Sequence, residues 1–385
     1  MSAADLSPDL SPEDSLRLNV LMAGQDKRRV EAVRIDTSAL VLYALTAQSE
    51  VKITLHPNCR NDQYLLRVQE FLAGHALGSP GGYPVYLRRW TRMGLTNDKN
   101  LAALLLLGEP EAVVAVAHAP ALSNELARRV WWLQPTMEIA RWMLEKDTVI
   151  QGDMGRVLAD FLIEHLPFEE SANAGMHTLR LILNAGLADG ALQRRLWNKA
   201  KQQPHYFIGF LECLPDALPD DAPARAEYAA LSASLQTLVA VGNSYAAQLC
   251  RCFSAQGQTF LKAATEVLRR PSTPLIVYSL LDAVGNYFRS CPTGAAPMAD
   301  AATLEQILHL TDTLIANSTE LKAVVAAAPQ FSREIRAMLV LSGLRQSVAE
   351  PILTRTTAVG ALMRTKIDPI AAPILAEMAI LQGKP

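Results

Sequence analysis

The sequence predicts a mainly α protein that carries one small antiparallel sheet near its N-terminus. Three observations predict it. Ala and Leu dominate a chain of 385 residues whose aromatic content is only 6%, a balance that favours helices over β-sandwiches. Period-two alternation is confined to a short stretch before residue 60, and from Asp62 onward the apolar residues recur with a helical period.

Residues 1–14 are rich in Ser, Pro and Asp and lack periodicity, so a disordered tail is expected there. In residues 15–60, Val33 and Ile35 alternate with Arg34 and Asp36, and Leu40 to Leu45 is a compact apolar run. Val51, Ile53 and Leu55 then alternate with Lys52, Thr54 and His56. Turn residues at Asp36-Thr37-Ser38 and Ala47-Gln48-Ser49-Glu50 divide this stretch into a three-stranded meander.

Beyond it, segments of roughly 8 to 16 residues are set off by proline and glycine. Pro84, Pro110 and Pro135 stand where first-turn prolines belong, and Gly94, Gly108 and Gly186 where helices end. The clearest helix is Asp153 to His165, with Met154, Val157, Leu158, Phe161 and Leu162 on one face. Later stripes are Val277, Leu281, Val284 and Phe288, then Leu304, Ile307 and Leu308. Short amphipathic helices with tight turns and no intervening strands imply stacked helical hairpins, a HEAT-like or irregular α-solenoid. The acidic, proline-rich stretch from Pro215 to Glu227 divides this part into an array over 61–217 and a C-terminal array over 218–385.

Charge and cysteine usage exclude several classes. With 36 Lys+Arg against 38 Asp+Glu, the net charge of -2 gives no global bias toward polyanions. The acidic start lacks the basic and apolar regions of a secretory signal. Leu101–Gly108 and Ala112–Leu122 fall short of the roughly 18 apolar residues that a spanning helix needs, so no membrane insertion and a cytoplasmic location are expected. Cys59, Cys213, Cys250, Cys252 and Cys291 are scattered, with no CxxC and no histidine cluster. They indicate neither a disulfide framework nor a zinc site. The seven histidines show no metal-ligand spacing, and His165 at the end of its helix reads as a capping or hydrogen-bonded residue. Gly78-Ser79-Pro80-Gly81-Gly82-Tyr83 lacks the Walker lysine and the GxGxxG order and reads as a turn. No nucleophile elbow or paired-carboxylate signature is present. No catalytic, cofactor-binding or metal-binding residue is assigned.

The informative polar feature is a recurring basic-aromatic cluster: Arg88-Arg89-Trp90, Arg128-Arg129-Val130-Trp131-Trp132, Arg141-Trp142 and Arg194-Arg195-Leu196-Trp197. All five tryptophans lie between residues 90 and 197. Arg88, Arg89 and Arg92 share a helix face, and Arg128 at i can pack its guanidinium on Trp132 at i+4. As a partner-binding surface, Arg88, Arg89, Arg92, Arg128, Arg129, Trp132, Arg194 and Arg195 would line a groove for an acidic protein or for RNA. As architecture, the indoles fill gaps between helices while the arginines pair with Glu125, Glu138 and Asp160. Residues 60–205 hold 16 Lys+Arg and 15 Asp+Glu, so the region is not basic as a whole.

Pro57 to Gly94 (PNCRNDQYLLRVQEFLAGHALGSPGGYPVYLRRWTRMG), Leu104 to Pro135 (LLLLGEPEAVVAVAHAPALSNELARRVWWLQP) and Val157 to Glu169 (VLADFLIEHLPFE) resemble the sulfur-reduction protein DsrS family. Members of that family are encoded beside the reverse-acting dissimilatory sulfite reductase of sulfur-oxidising bacteria. The similarity runs from about Ser15 to Pro215. It implies a soluble cytoplasmic accessory protein in the oxidation of stored sulfur, with no assigned active site, cofactor or ligand. Three readings follow: a non-catalytic scaffold or regulator that binds a protein of that system, an RNA-binding regulator using the same arginine face, and a sulfur carrier or enzyme using Cys213, Cys250 or Cys252. The oligomeric state is not encoded in any feature of the sequence.

Overall fold

The structure, a computed structural model, describes residues 10–78, 98–289, 303–355 and 358–384. It is mainly α with a single three-stranded antiparallel sheet among the described residues, in agreement with the sequence. The chain forms two compact units, residues 1–167 and 168–385.

The N-terminal unit opens with a helix that the sequence reading missed. Helix α1, Pro12–Met22, begins at N-cap Ser11, has proline in its first turn and carries Glu13 and Asp14 there, a complete start signal. Residues 12–14 are therefore helix, not disordered tail, and Asp14 is 0% exposed. The meander follows: β1 (Val30–Asp36), β2 (Val41–Thr46) and β3 (Glu50–Thr54), in the order β1-β2-β3. Asp36 builds the first turn by accepting from the N–H groups of Ser38 at 3.0 Å and Ala39 at 2.9 Å. A register shift between Val30 and Ala32 bulges β1 at Glu31.

Helix α2, Asn61–Leu77, and α1 cover one sheet face, where Leu18, Tyr64, Val68 and Leu72 pack with Val33, Leu42, Ala44 and Ile53. Six further helices complete the unit: α3 (Asp98–Leu104), α4 (Pro110–His118), α5 (Asn124–Leu133), α6 (Met137–Met143), α7 (Asp147–Ile150) and α8 (Asp153–His165). Helix α8 has the bounds its periodicity predicts. Pro110 is a first-turn proline, but Pro135 precedes the N-cap, Thr136, instead of entering the helix. Pro84 and Gly94 lie outside the described residues.

The C-terminal unit contains α9 (Ala172–Asn184), α10 (Gly190–Ala200), α11 (His205–Cys213), α12 (Tyr228–Ala240), α13 (Ser244–Phe253), α14 (Ala255–Arg269) and α15 (Pro274–Phe288). It continues with α16 (Leu304–Asn317), α17 (Thr319–Ala327), α18 (Ser332–Ser342), α19 (Glu350–Leu353) and α20 (Gly360–Leu381). Consecutive helices pack together, as α12 on α13, and so do distant ones, as α11 on α15 and α20 on both α14 and α18. Phe207, Phe210, Phe253, Phe260 and Phe288 fill the core.

The boundary expected at residue 218 falls inside this unit. The proline-rich segment has the composition of a linker but is stitched down. Leu218 N–H donates to Gln256 at 3.2 Å, Ala222 N–H to Thr259 at 3.0 Å and Arg225 N–H to the Phe253 carbonyl at 3.0 Å.

One buried charge ties α1 to the meander and α2. The Asp14 carboxylate accepts from the His56 N–H at 2.6 Å and from the Tyr64 hydroxyl, and His56 Nδ1 lies 3.1 Å away. Burial by itself would raise the Asp14 pKa, but the hydrogen bonds from Tyr64 and His56 outweigh it and hold the group below its ordinary value of 3.8. A depressed carboxylate stabilises the fold fully above its unfolded pKa, and that stability is lost as pH falls through the folded value. Replacing Asp14 with Asn is expected to cost about 1–3 kcal/mol at neutral pH by leaving buried donors poorly matched. It should also remove part of the stability loss on acidification below about pH 4. Denaturant unfolding across pH, with hydrogen exchange at the α1 amides, measures both effects.

Candidate functional site

The structure divides the predicted arginine surface into three sets. Arg88, Arg89 and Arg92 lie outside the described residues, as does Trp90. Arg128 and Arg129 belong to α5 in the N-terminal unit, whereas Arg194 and Arg195 belong to α10 in the C-terminal unit.

Arg128 and Arg129 are neutralised. Arg128 Nη2 lies 2.6 Å from Glu125, one turn earlier on α5, and this bond raises the Arg128 pKa. Arg129 reaches Glu125 at 3.2 Å and Glu31 at 3.4 Å, and its side chain is only 18% exposed. The β1 bulge at Glu31 thus supports α5. Burial tends to raise the Glu125 pKa, but the Arg128 hydrogen bond and the two nearby guanidinium charges hold it below its ordinary value. Arg141 is buried and pairs with Glu138 at 3.1 Å, and Arg156 pairs with Asp160 at 3.0 Å. These are the pairings of the architectural reading.

The tryptophans behave likewise. Trp131 packs edge-on against Phe161, Trp142 lies on His118, and buried Trp197 meets Phe207 and Phe210 edge-on. Trp132 departs from expectation: its ring receives Arg34 of β1, 5.0 Å from the centroid, in place of Arg128, and its indole N–H donates to Glu50 at 3.0 Å. The i,i+4 spacing allows an Arg128 contact, but Glu125 is the stronger partner because it offers a charge-assisted hydrogen bond. Sequence reasoning missed the Arg34 contact because Trp132 lies 98 positions further along the chain.

Helix α10 is different. Arg194 and Arg195 are exposed, with Lys199 half-buried and Lys201 exposed one turn on. From Gly190 to Leu211 the chain contains no Asp or Glu. None of the four cations has an ion pair among the described residues. Leu196, Trp197 and Ala200 anchor the opposite side in the core, so the helix period itself turns the cations outward. N-cap Asp189, accepting from the Leu192 N–H at 2.8 Å, starts the helix. Near Lys201 the row borders a depression of about 140 Å³ that also holds Lys262. Lys262 is itself paired to Asp220 at 3.6 Å.

Cys213, Cys250 and Cys252 do not have the environment of nucleophiles. Burial pushes the Cys213 thiol up to about 11, and Cys250 is raised by burial as well. Cys252 is buried. Arg251, which in sequence flanks both thiols, is committed to Asp216 through two bonds of 2.6 Å. Cys291 lies outside the described residues. His165 Nδ1 meets the Phe161 carbonyl at 2.9 Å while its ring stacks on Phe161, so it is a hydrogen-bonded structural residue. Gly78 closes α2 in the left-handed region at φ 64, and the remainder of its glycine-rich loop lies outside the described residues. Among the described residues no group of three or more His, Cys, Asp or Glu is placed to hold a metal ion. No described helix is long and apolar enough to cross a membrane.

No protein-family model, curated protein or solved structure matches the chain.

The raised Cys213 thiol gives a direct check. Two units above the ordinary value, it holds about a hundredfold less thiolate at a given pH. Mass-resolved alkylation of the native protein at pH 8 is expected to label Cys213 more slowly than in the unfolded chain by about tenfold or more, because the scarcer thiolate is partly offset by its greater nucleophilicity.

Proposed function

We propose that the protein is a non-catalytic binding protein, and that the outward face of α10 receives an acidic surface of a protein partner. The carrying observation is the row Arg194, Arg195, Lys199 and Lys201, free of ion pairs among the described residues and set in a stretch without a carboxylate. Arg128, Arg129, Arg141 and Arg156 are by contrast matched to nearby acids. An unmatched row of like charge is the arrangement that steers and orients an oppositely charged partner. The resemblance to the DsrS family supports a setting among the cytoplasmic proteins that oxidise stored sulfur, and we place the partner there. RNA is the competing polyanion, and it would give a binding constant that falls steeply with salt.

The test is affinity capture of the tagged protein from cells growing on reduced sulfur, with and without nuclease, comparing wild type with Arg194→Glu/Arg195→Glu. Both side chains face solvent, so the variant keeps its fold. The expected result is recovery of sulfur-oxidation proteins irrespective of nuclease and a loss of about tenfold or more in the variant. Capture abolished by nuclease moves the assignment to RNA, and undiminished capture by the variant overturns the α10 site.

A further inference from the structure

Helix α1 is turned the opposite way from an ordinary surface helix. Its Asp14 carboxylate faces the sheet at 0% exposure, while Leu16 and Val20, one turn apart, are 67% and 68% exposed. Pro12, Leu16, Val20 and Ala23 recur at the helical period and are all exposed, so they form one outward apolar stripe. The charges nearest to it, Glu13 and Arg17, neutralise each other at 2.5 Å. Exposed aliphatic side chains that are aligned, not scattered singly, mark an interaction surface.

The fold holds this stripe outward. Hydrogen bonds from the Tyr64 hydroxyl and the His56 N–H to Asp14 fix the rotation of α1 about its axis, and Leu18 is buried beside them. Turning Leu16 and Val20 inward would break those bonds.

Directly after α1 the chain turns back on the helix end. Gly24 N–H donates to the Leu21 carbonyl at 3.3 Å, and a side chain at Gly24 would strike the Arg28 carbonyl. This turn carries Lys27, Arg28 and Arg29, all exposed and without an ion pair among the described residues. Three cations less the neighbouring Asp26 leave it at +2. An aliphatic ridge that ends in a cluster of cations is complementary to an anionic bilayer. The headgroups attract the charges, and the acyl boundary receives the aliphatic side chains.

Shape separates a bilayer from a protein groove as the occupant. A groove encloses an amphipathic helix on most of its sides, whereas α1 is fastened along its inner side through Asp14 and offers only the outer one. Its 11 residues make a ridge of about 16 Å, which a flat surface matches. Lying on a bilayer requires no spanning helix.

We propose that the N-terminal unit docks on anionic lipid bilayers through α1 and its basic turn. Leu16 and Val20 enter the headgroup boundary, and Lys27, Arg28 and Arg29 meet the lipid phosphates. The site is separate from the α10 row and does not rest on it.

The test is flotation of the full chain with phosphatidylcholine vesicles, with or without about 30 mol% phosphatidylglycerol. Binding is expected to be at least about tenfold tighter to the anionic vesicles and to weaken as salt is raised. Lys27→Glu/Arg28→Glu and Leu16→Gln/Val20→Gln are each expected to lose about tenfold or more. All four side chains are exposed, and melting temperatures confirm that both variants fold. Arg194→Glu/Arg195→Glu, which removes the other cation row, should float like the wild type. The proposal is overturned if the wild type fails to float with anionic vesicles at low salt, the outcome expected of a stripe that seats a protein. It is equally overturned if phosphatidylcholine alone binds as well, or if either folded α1 variant keeps wild-type binding. Loss of flotation in the α10 variant assigns the lipid contact to α10 and overturns it too.

Discussion

Helix length is the constraint on which the rest of the structure depends. Apart from α2 and α20, every described helix has 15 residues or fewer, and isolated helices of that length are marginal in water. Each therefore persists only because its apolar stripe is covered by a neighbour. The connections must then be short and self-satisfied. Ser254 ends α13 and caps α14, and Ser318 ends α16 and caps α17, so at both corners one extended residue terminates one helix and starts the next. A one-residue corner leaves few loop residues to be ordered, so less conformational entropy has to be offset by burial.

Close packing of short helices leaves little room for unmatched charge, and both units fasten their loose segments with charges that are matched. Asp14 does this for α1. In the C-terminal unit the Arg225 side chain, 8% exposed, pairs with Glu334 at 3.2 Å. It also donates to the Ile380 carbonyl at 3.2 Å and lies 4.2 Å from the Phe253 ring centroid. One guanidinium thereby joins the segment before α12 to α13, α18 and the end of α20. Arg251 adds a second clasp, binding Asp216 and the Tyr287 carbonyl. Removing one partner from such a cluster strands the other, which is why a segment with the composition of a linker behaves as part of the core.

These fastenings explain what was legible in the sequence and what was not. The meander and α8 were legible because period two and period 3.6 are local properties of the chain. Helix α1 was equally local, since Ser11, Pro12, Glu13 and Asp14 spell a complete start, but the acidic and proline-rich composition around them masked it. The role of the arginines was not legible residue by residue. Arg129 is matched partly by Glu31, and Arg34 is held by Trp132. Both pairings span 98 positions and exist only because α5 packs against β1. For α10 the opposite holds, because the lack of acid from Gly190 to Leu211 can be read directly and says more than the Arg-Arg-x-Trp pattern that drew attention to it.

The α10 row and Arg34 differ physically. On α10 the side chains are solvated, so being unpaired costs them almost nothing and nothing in the fold demands a ligand. Attraction there is long-range, summed over four charges and weakened by salt, which suits the capture and orientation of a large partner. At Arg34 the guanidinium lies against two rings, its Nε is shut from water and Glu50 stands 3.8 Å away. Hydrogen-bond direction and ring contact, not total charge, govern how such a side chain is held. A chain assembled from helices too short to stand alone thus sets its arginines in two ways, one made by helix period acting on an acid-free run and the other by a tertiary contact that fixes a single side chain.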